Sequence, residues 1–290
     1  MVVNIFAGAL LMTALAQSAD TTFAVDPNAT LELTNRDGSI VIQTWDRDEV
    51  SVRTNHSFRG AVEVRRSGGT VRIGASRRYW DDDEDNVDYR LTVPATMSLD
   101  LRGSDTDVRV DGSRGEINID LSDGDVVISG GSGRVSIRTD DGFIDAEDMD
   151  GRIRLSSMDG DITLYRATGD IDIDATDGEI TLREIDATTV IANTVDGDIW
   201  FDGVLAPRGS YSFTTHDGDV TAQIPEDSDA QVRMARHDGE FVSDFPVTIQ
   251  RWPAGRRVEF NIGNGGAELT IEAFDGDIAL RHRGGRLRRP

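Results

Sequence analysis

The chain has 290 residues, 53 of them acidic and 30 basic, for a net charge of −23, and it has no cysteine. These numbers exclude disulfide frameworks, thiolate nucleophiles, zinc ribbons and a lipoprotein cysteine. The negative field would repel a phosphate backbone, so nucleic acid is not expected as a partner. All of the basic residues are arginine, which fits a GC-rich genome better than a binding role.

Residues 1–19, "MVVNIFAGALLMTALAQSA", form one apolar run that ends in small residues. The run is short for a membrane span and offers cleavage sites at Ala14-Leu15-Ala16 and at Ala19, so it reads as a secretory signal peptide. Its n-region has no Lys or Arg, leaving the amino terminus as the only positive charge. No later apolar run is long enough to cross a bilayer. The expected location is therefore the periplasm or cell surface, with no membrane span after signal removal.

The mature domain, residues 20–280, opens with a unit holding Leu31 and Leu33 ahead of Asp37-Gly38. The segment "RRYWDDDEDNVD", 77–88, reads as a solvated acidic loop interrupting the early coils. From residue 97 a nine-residue register takes over. Counting each unit from its glycine slot, the third and fifth slots are apolar: Val126/Ile128, Val135/Ile137, Ile144/Ala146, Ile153/Leu155, Ile162/Leu164 and Ile171/Ile173 are examples. Polar residues such as Asp161, Thr163 and Tyr165 stand between them. Apolar residues at i and i+2 with polar neighbours are strand periodicity, so each unit is one short strand and one tight turn. Two units make one coil of a flattened parallel β-solenoid, an all-β fold of two sheets and about 18–21 residues per coil.

Asp-Gly or its equivalent recurs at Asp37, Asp105, Asp123, Asp141, Asp159, Asp177, Asp196, Asp217, Asp238 and Asp275. The half-coil entering each of these aspartates keeps its nine residues. The other half-coil lengthens toward the C-terminus, with the largest insertion at 244–266, so all insertions fall on one edge, where repeat proteins often place their working surface. The same count puts His216 and His237 in equivalent slots about one coil apart. Residues 281–290, "RHRGGRLRRP", read as a basic disordered tail.

Asp-Gly is a turn dipeptide in which glycine supplies positive φ and the carboxylate accepts a nearby backbone N–H, and this accounts for every copy. A second reading is a carboxylate ladder at the interstrand spacing of ~4.8 Å. Neighbours would repel by ~0.9 kcal/mol in bulk water, which leaves room for weakly held calcium. The candidate ligands would be Asp123, Asp141, Asp159, Asp177, Asp196, Asp217 and Asp238. The calcium-binding nonapeptide pattern G-G-x-G-x-D is not met, because "GGSGRV" at 130–135 carries Val135 where the aspartate belongs. No metal site, cofactor-binding residue or catalytic residue is assigned. His216 and His237 read as exposed turn histidines, with a metal pair as the sharper reading. Short turns cannot wall off a cleft for polysaccharide hydrolysis. Trp45, Tyr79, Trp80, Trp200 and Trp252 could stack on sugars or cap the solenoid. Of these, Trp200 on an outward strand slot and Trp252 in the long insertion mark the candidate binding edge.

The stretches "VDYRLTVPATMSLDL" (87–101) and "RGSYSFTTHDGDVTAQIPEDSDAQVRMARHDGEFVSDFPV" (208–247) resemble the bacterial family of domains of unknown function labelled putative adhesins. The resemblance runs from about residue 23 to 280. It implies an exported β-solenoid and supplies no catalytic residue, ligand or partner. The expected function is a non-enzymatic surface or envelope binding or structural module with an unknown envelope, surface or glycan ligand. The alternatives are a carbohydrate-binding module using the looped edge, or a polysaccharide-active enzyme with its site in the 244–266 insertion.

Overall fold

The computed structural model describes residues 15–16, 21–26, 28–56, 62–75, 86–247 and 257–283. Among these every regular element is a strand. The middle of the chain follows the nine-residue register closely. Strands Val126–Asp141, Ile144–Asp159 and Ile162–Asp177 are each 16 residues long and stack in parallel. Val126 lies opposite Ile144 and Ile144 opposite Ile162, an offset of 18 residues. Ile180–Asn193 continues the stack, with a register shift opposite Gly169/Asp170 that marks the first insertion.

Within each long strand the burial alternates, breaks phase in the middle and alternates again. The break is a corner between two sheet faces. Asp148, Arg166 and Glu184 occupy the same corner position in successive coils, with φ of 57°, 51° and 54°. Non-glycine residues resist that conformation. Part of the cost is offset across the coils, because Arg166 Nη2 donates to Asp148 Oδ2 at 2.7 Å. That hydrogen bond holds the Asp148 carboxyl below the usual carboxylate range.

The third- and fifth-slot residues form the core. Ile144, Ile153, Leu155, Ile162, Leu164, Ile171 and Ile173 are all buried, and each such side chain contributes roughly 1.5–3 kcal/mol of transfer free energy. Toward the C-terminal end the core becomes aromatic. The Phe201 ring packs 5.0 Å from Phe213 and 6.0 Å from Tyr211. The Tyr211 hydroxyl donates to Ala187 O at 2.6 Å and accepts from Ala206 N at 2.7 Å, which pins the 204–209 insertion to the stack.

Both ends depart from sequential stacking. Strand Thr30–Trp45 pairs in parallel with Ser98–Asp111 on one side and with Thr70–Ala75 and Val87–Pro94 on the other. Strand Ala267–Asp275 likewise pairs with Ser210–Asp217 on one side and with Ala230–Asp238 on the other. The first and last long elements of the sequence are therefore the penultimate coils in space, each held by two parallel ladders. Antiparallel strands lie outside them. Glu49–His56 pairs with Val87–Pro94, Val62–Ser67 with Thr70–Ala75, and Arg257–Ile262 with Ala230–Asp238. Reversed strands at the ends protect the open edges of a parallel stack from further parallel addition.

This order corrects one expectation. His216 and His237 are not one coil apart, because the coil carrying Phe274 and Asp275 lies between theirs. Of the segment 77–88, residues 77–85 lie outside those described. At its end Val87 is buried in the core and begins the strand Val87–Pro94, so the segment does not read as a solvated loop throughout. Regular structure also runs slightly past residue 280. Ile278–His282 is a strand, and Arg283 Nε pairs with Asp202 Oδ1 at 2.7 Å.

Candidate functional site

All ten aspartates of the Asp-Gly slot stand in one register column, in the spatial order 37, 105, 123, 141, 159, 177, 196, 217, 275, 238. The candidate ligands Asp123, Asp141, Asp159, Asp177, Asp196, Asp217 and Asp238 are exposed. Among the described residues no three or more His, Cys, Asp or Glu side chains group so as to hold a metal ion. A straight column at the coil spacing gives each ion two neighbouring carboxylates at most, whereas calcium takes 6–8 oxygens.

Where an aspartate stands two positions after the Asp-Gly aspartate, it has a distinct structural role. Asp107 Oδ1 accepts the amide of Asp125 at 3.1 Å, Asp125 Oδ1 that of Phe143 at 3.2 Å, and Asp161 Oδ1 that of Glu179 at 2.8 Å. Asp198, Asp219 and Asp277 repeat the bond to Asp219, Asp277 and Glu240 at 2.7, 2.7 and 2.6 Å. Where the chain turns at glycine, the carboxylate supplies the acceptor that a neighbouring carbonyl supplies elsewhere in the ladder. Much of the conspicuous acidity of this edge thus completes backbone hydrogen bonding.

A second device at the same edge is the buried hydroxyl two residues before the aspartate. Thr139 Oγ1 donates to Asp141 O at 2.8 Å, Ser157 Oγ to Gly142 O at 3.1 Å and Thr215 Oγ1 to Gly197 O at 2.9 Å. The residue immediately before the aspartate is apolar and exposed in several coils: Met158, Val195 and Phe274 are 50%, 51% and 47% accessible.

Trp200 occupies an outward slot, as the periodicity predicts. It is half-buried between Thr181 and Thr221 in register, and the Arg183 guanidinium lies 4.9 Å from its ring centroid. Trp252, Tyr79 and Trp80 lie outside the described residues. Trp45 Nε1 donates to Glu49 O at 2.8 Å, which fastens the turn after Thr30–Trp45.

Near the looped end lies a hollow of about 620 Å³ lined by Thr214, His216, Ala235, Arg236, Arg257, Glu272 and Phe274, among others. Its floor follows from register. Thr214 pairs with Glu272, Glu272 with Ala235 and Ala235 with Arg257. Two residues earlier on the same strand as Ala235, Arg233 reaches Glu268 at 3.4 Å and Glu259 at 3.9 Å and fills the equivalent space. At Ala235 the side chain is a methyl, so Glu272 and Arg257 face each other across an open floor. Phe274 forms one rim, held edge to face by His216 at a centroid separation of 4.7 Å and 63°.

Residues 166–281 match the family model described as Toastrack DUF4097. No curated protein matches the chain. Among solved structures, the chain is similar to a putative cell adhesion protein from Clostridium sporogenes ATCC 15579, with 10% identity, TM-score 0.26, and coverage of 92% of this chain and 100% of that one. It is also similar to a putative adhesin from Bacteroides fragilis NCTC 9343, with 12% identity, TM-score 0.42, and coverage of 94% and 98%.

Proposed function

We propose that the protein is an exported, non-enzymatic β-solenoid that acts as a binding or structural module at the cell surface or in the envelope. One observation carries this reading. The repeat carboxylates are spread along a single straight column, one per coil, and several of the acidic residues beside them are engaged with backbone amides. General acid–base chemistry needs two carboxyl groups converging on one bond at about 5–9.5 Å within a walled cleft. A column presents an extended repetitive surface, suited to contact along its length.

Export rests on the apolar run at 1–19. Cleavage after Ala16 or Ala19 would remove the pair Leu15–Ala16, which lies antiparallel to Val62–Glu63. Mass spectrometry of the native protein tests this, with an N-terminus after Ala16 or Ala19 expected. An intact Met1 on cytoplasmic protein overturns it. Binding is tested by capture from envelope and polysaccharide extracts of the source cells, with retention on the mature protein expected. Turnover of a polysaccharide by the purified chain would overturn the non-enzymatic reading.

A carbohydrate-binding role at the looped end is favoured by the hollow beside Phe274. Of the 244–266 insertion, where an enzyme site is the alternative expectation, residues 248–256 lie outside those described and Arg257–Ile262 is a strand.

A further inference from the structure

The geometry points to the hollow above Ala235 as a binding site for a neutral sugar residue, a ligand class that rests on the reading of this solenoid as a binding module. In this arrangement Phe274 packs against the C–H face of the pyranose ring. Glu272 accepts from its hydroxyls, and Arg257 donates to hydroxyl or ring oxygens.

Three features support that ligand. The first is shape. The 620 Å³ hollow lies within the range of small-molecule sites, about 300–1,000 Å³. It exists because the interleaved C-terminal coil sets Glu272 on one side of Ala235 while the antiparallel strand Arg257–Ile262 sets Arg257 on the other. Two interstrand steps, ~9.6 Å between backbones, separate those residues. Where Arg233 stands, the same gap is closed by its paired side chain.

The second is chemistry. An acceptor-only carboxylate and a donor-only guanidinium face each other across an apolar floor. A ligand that presents donors and acceptors on one edge and C–H groups on a face satisfies all three at once. The Phe274 ring is nearly half exposed, and His216 packs against it edge to face. Exposed aromatic faces beside fixed polar groups are costly to leave in water and suit amphipathic ligands.

The third is charge. The lining holds Glu272 and two arginines; Arg236 donates to the Gly239 carbonyl, which leaves Glu272 and Arg257 as the opposed pair, and the whole chain carries −23. That field repels acidic polysaccharides and is indifferent to neutral ones.

The test is titration calorimetry of the full mature chain with neutral gluco-, manno- and galacto-oligosaccharides and, in parallel, a uronic-acid oligosaccharide. It is repeated on Ala235→Trp, Glu272→Ala and Phe274→Ala, with melting temperatures recorded for each. Expected is binding of a neutral oligosaccharide that Ala235→Trp abolishes and that Phe274→Ala weakens by about tenfold, the equivalent of one aromatic stacking contact. The melting temperature should barely move for Phe274→Ala, because that ring lies outside the core. If Ala235→Trp fails to fold, the Glu272 and Phe274 variants carry the same test. Neutral-sugar binding unchanged in those variants overturns the hollow as the site. Binding of the uronic-acid oligosaccharide alone overturns the neutral class. Binding of none of them overturns the inference outright, while capture from envelope extracts still decides the broader proposal.

Discussion

The amide of Asp277 donates to Asp219 Oδ1 at 2.7 Å, across 58 residues of sequence. The amide of Glu240 in turn donates to Asp277 Oδ1 at 2.6 Å. One coil taken from the end of the chain is thus stitched between two earlier ones by the same carboxylate device that joins consecutive coils in the middle. The two aspartates of an "Asp-Gly-Asp" turn therefore have different roles, and substitution should separate them.

Asp161→Ala removes the acceptor for the Glu179 amide, 2.8 Å away, and should cost about 1 kcal/mol, the usual worth of one such bond. Asp159→Asn should be neutral or slightly stabilising, since it keeps the turn geometry and relieves repulsion from Asp141 and Asp177, its register neighbours. Urea denaturation of the two variants reads the difference. Calcium chloride and sodium chloride at matched ionic strength should raise the melting temperature of the parent equally, because screening acts on the whole column. A specific calcium increment lost in Asp159→Asn would restore the ion-binding reading.

A Cβ on Gly160 would lie 2.2 Å from Gly142 O, and its φ is 150°. Gly133 also has positive φ, 90°, but a Cβ there meets nothing within 4 Å. Gly160→Ala should therefore cost about 3 kcal/mol or more, combining backbone strain with a clash that only coil separation can relieve. Gly133→Ala should cost about 1 kcal/mol from strain alone. Equal unfolding midpoints for the two variants would show that the coils are not stacked so closely at the Asp-Gly edge.

Ile171 is 1% accessible and lies between Ile153 and Val190. Ile171→Asp places an unpaired carboxylate in a core only two side chains deep per strand and should cost at least about 3–5 kcal/mol, enough to unfold the surrounding coils. Thr163 faces outward one strand position away in phase, and Thr163→Asp should stay within about 1 kcal/mol of the parent. Thermal melts distinguish them, and similar losses would reject the strand phase.

The middle of this fold is legible in the sequence because the apolar residues at two slots per nine can only be buried together by a strand. Ile153 and Leu155 predict their own burial, and Asp159 its turn. The seventh-slot hydroxyls were less legible. Thr139, Ser157 and Thr215 are polar residues in a buried position, and only the cross-coil carbonyls they bond explain them. Coil order was not legible at the ends. The half-coils of Asp238 and Asp275 carry equally good core residues, Val232/Met234 and Leu269/Ile271, so either could follow Asp217. Nothing in periodicity distinguishes them. The clue lies in the long insertion at 244–266, which gives the chain enough length to travel back. The hollow is not legible for the same reason, since Ala235, Glu272 and Arg257 become neighbours only through that order. The outward slot of Trp200 is legible from the strand period, whereas the Arg183 guanidinium over its ring depends on cross-coil packing.

Disulfide mapping tests the interleaved order most directly, and the absence of native cysteine makes it clean. Thr221 is the register partner of Ala279, and Ala279 is the partner of Val242. Neighbouring parallel strands place the Thr221 and Ala279 α-carbons ~4.8 Å apart, within disulfide reach, and Thr221 and Val242 ~9.6 Å apart, beyond it. Under mild oxidation, the double variant Thr221→Cys/Ala279→Cys should form an intramolecular disulfide detectable by peptide mass spectrometry. Thr221→Cys/Val242→Cys should not. The reverse result, a bond between positions 221 and 242 and none between 221 and 279, would mean that the coils stack in sequence order. In that case the hollow above Ala235 would not exist as described.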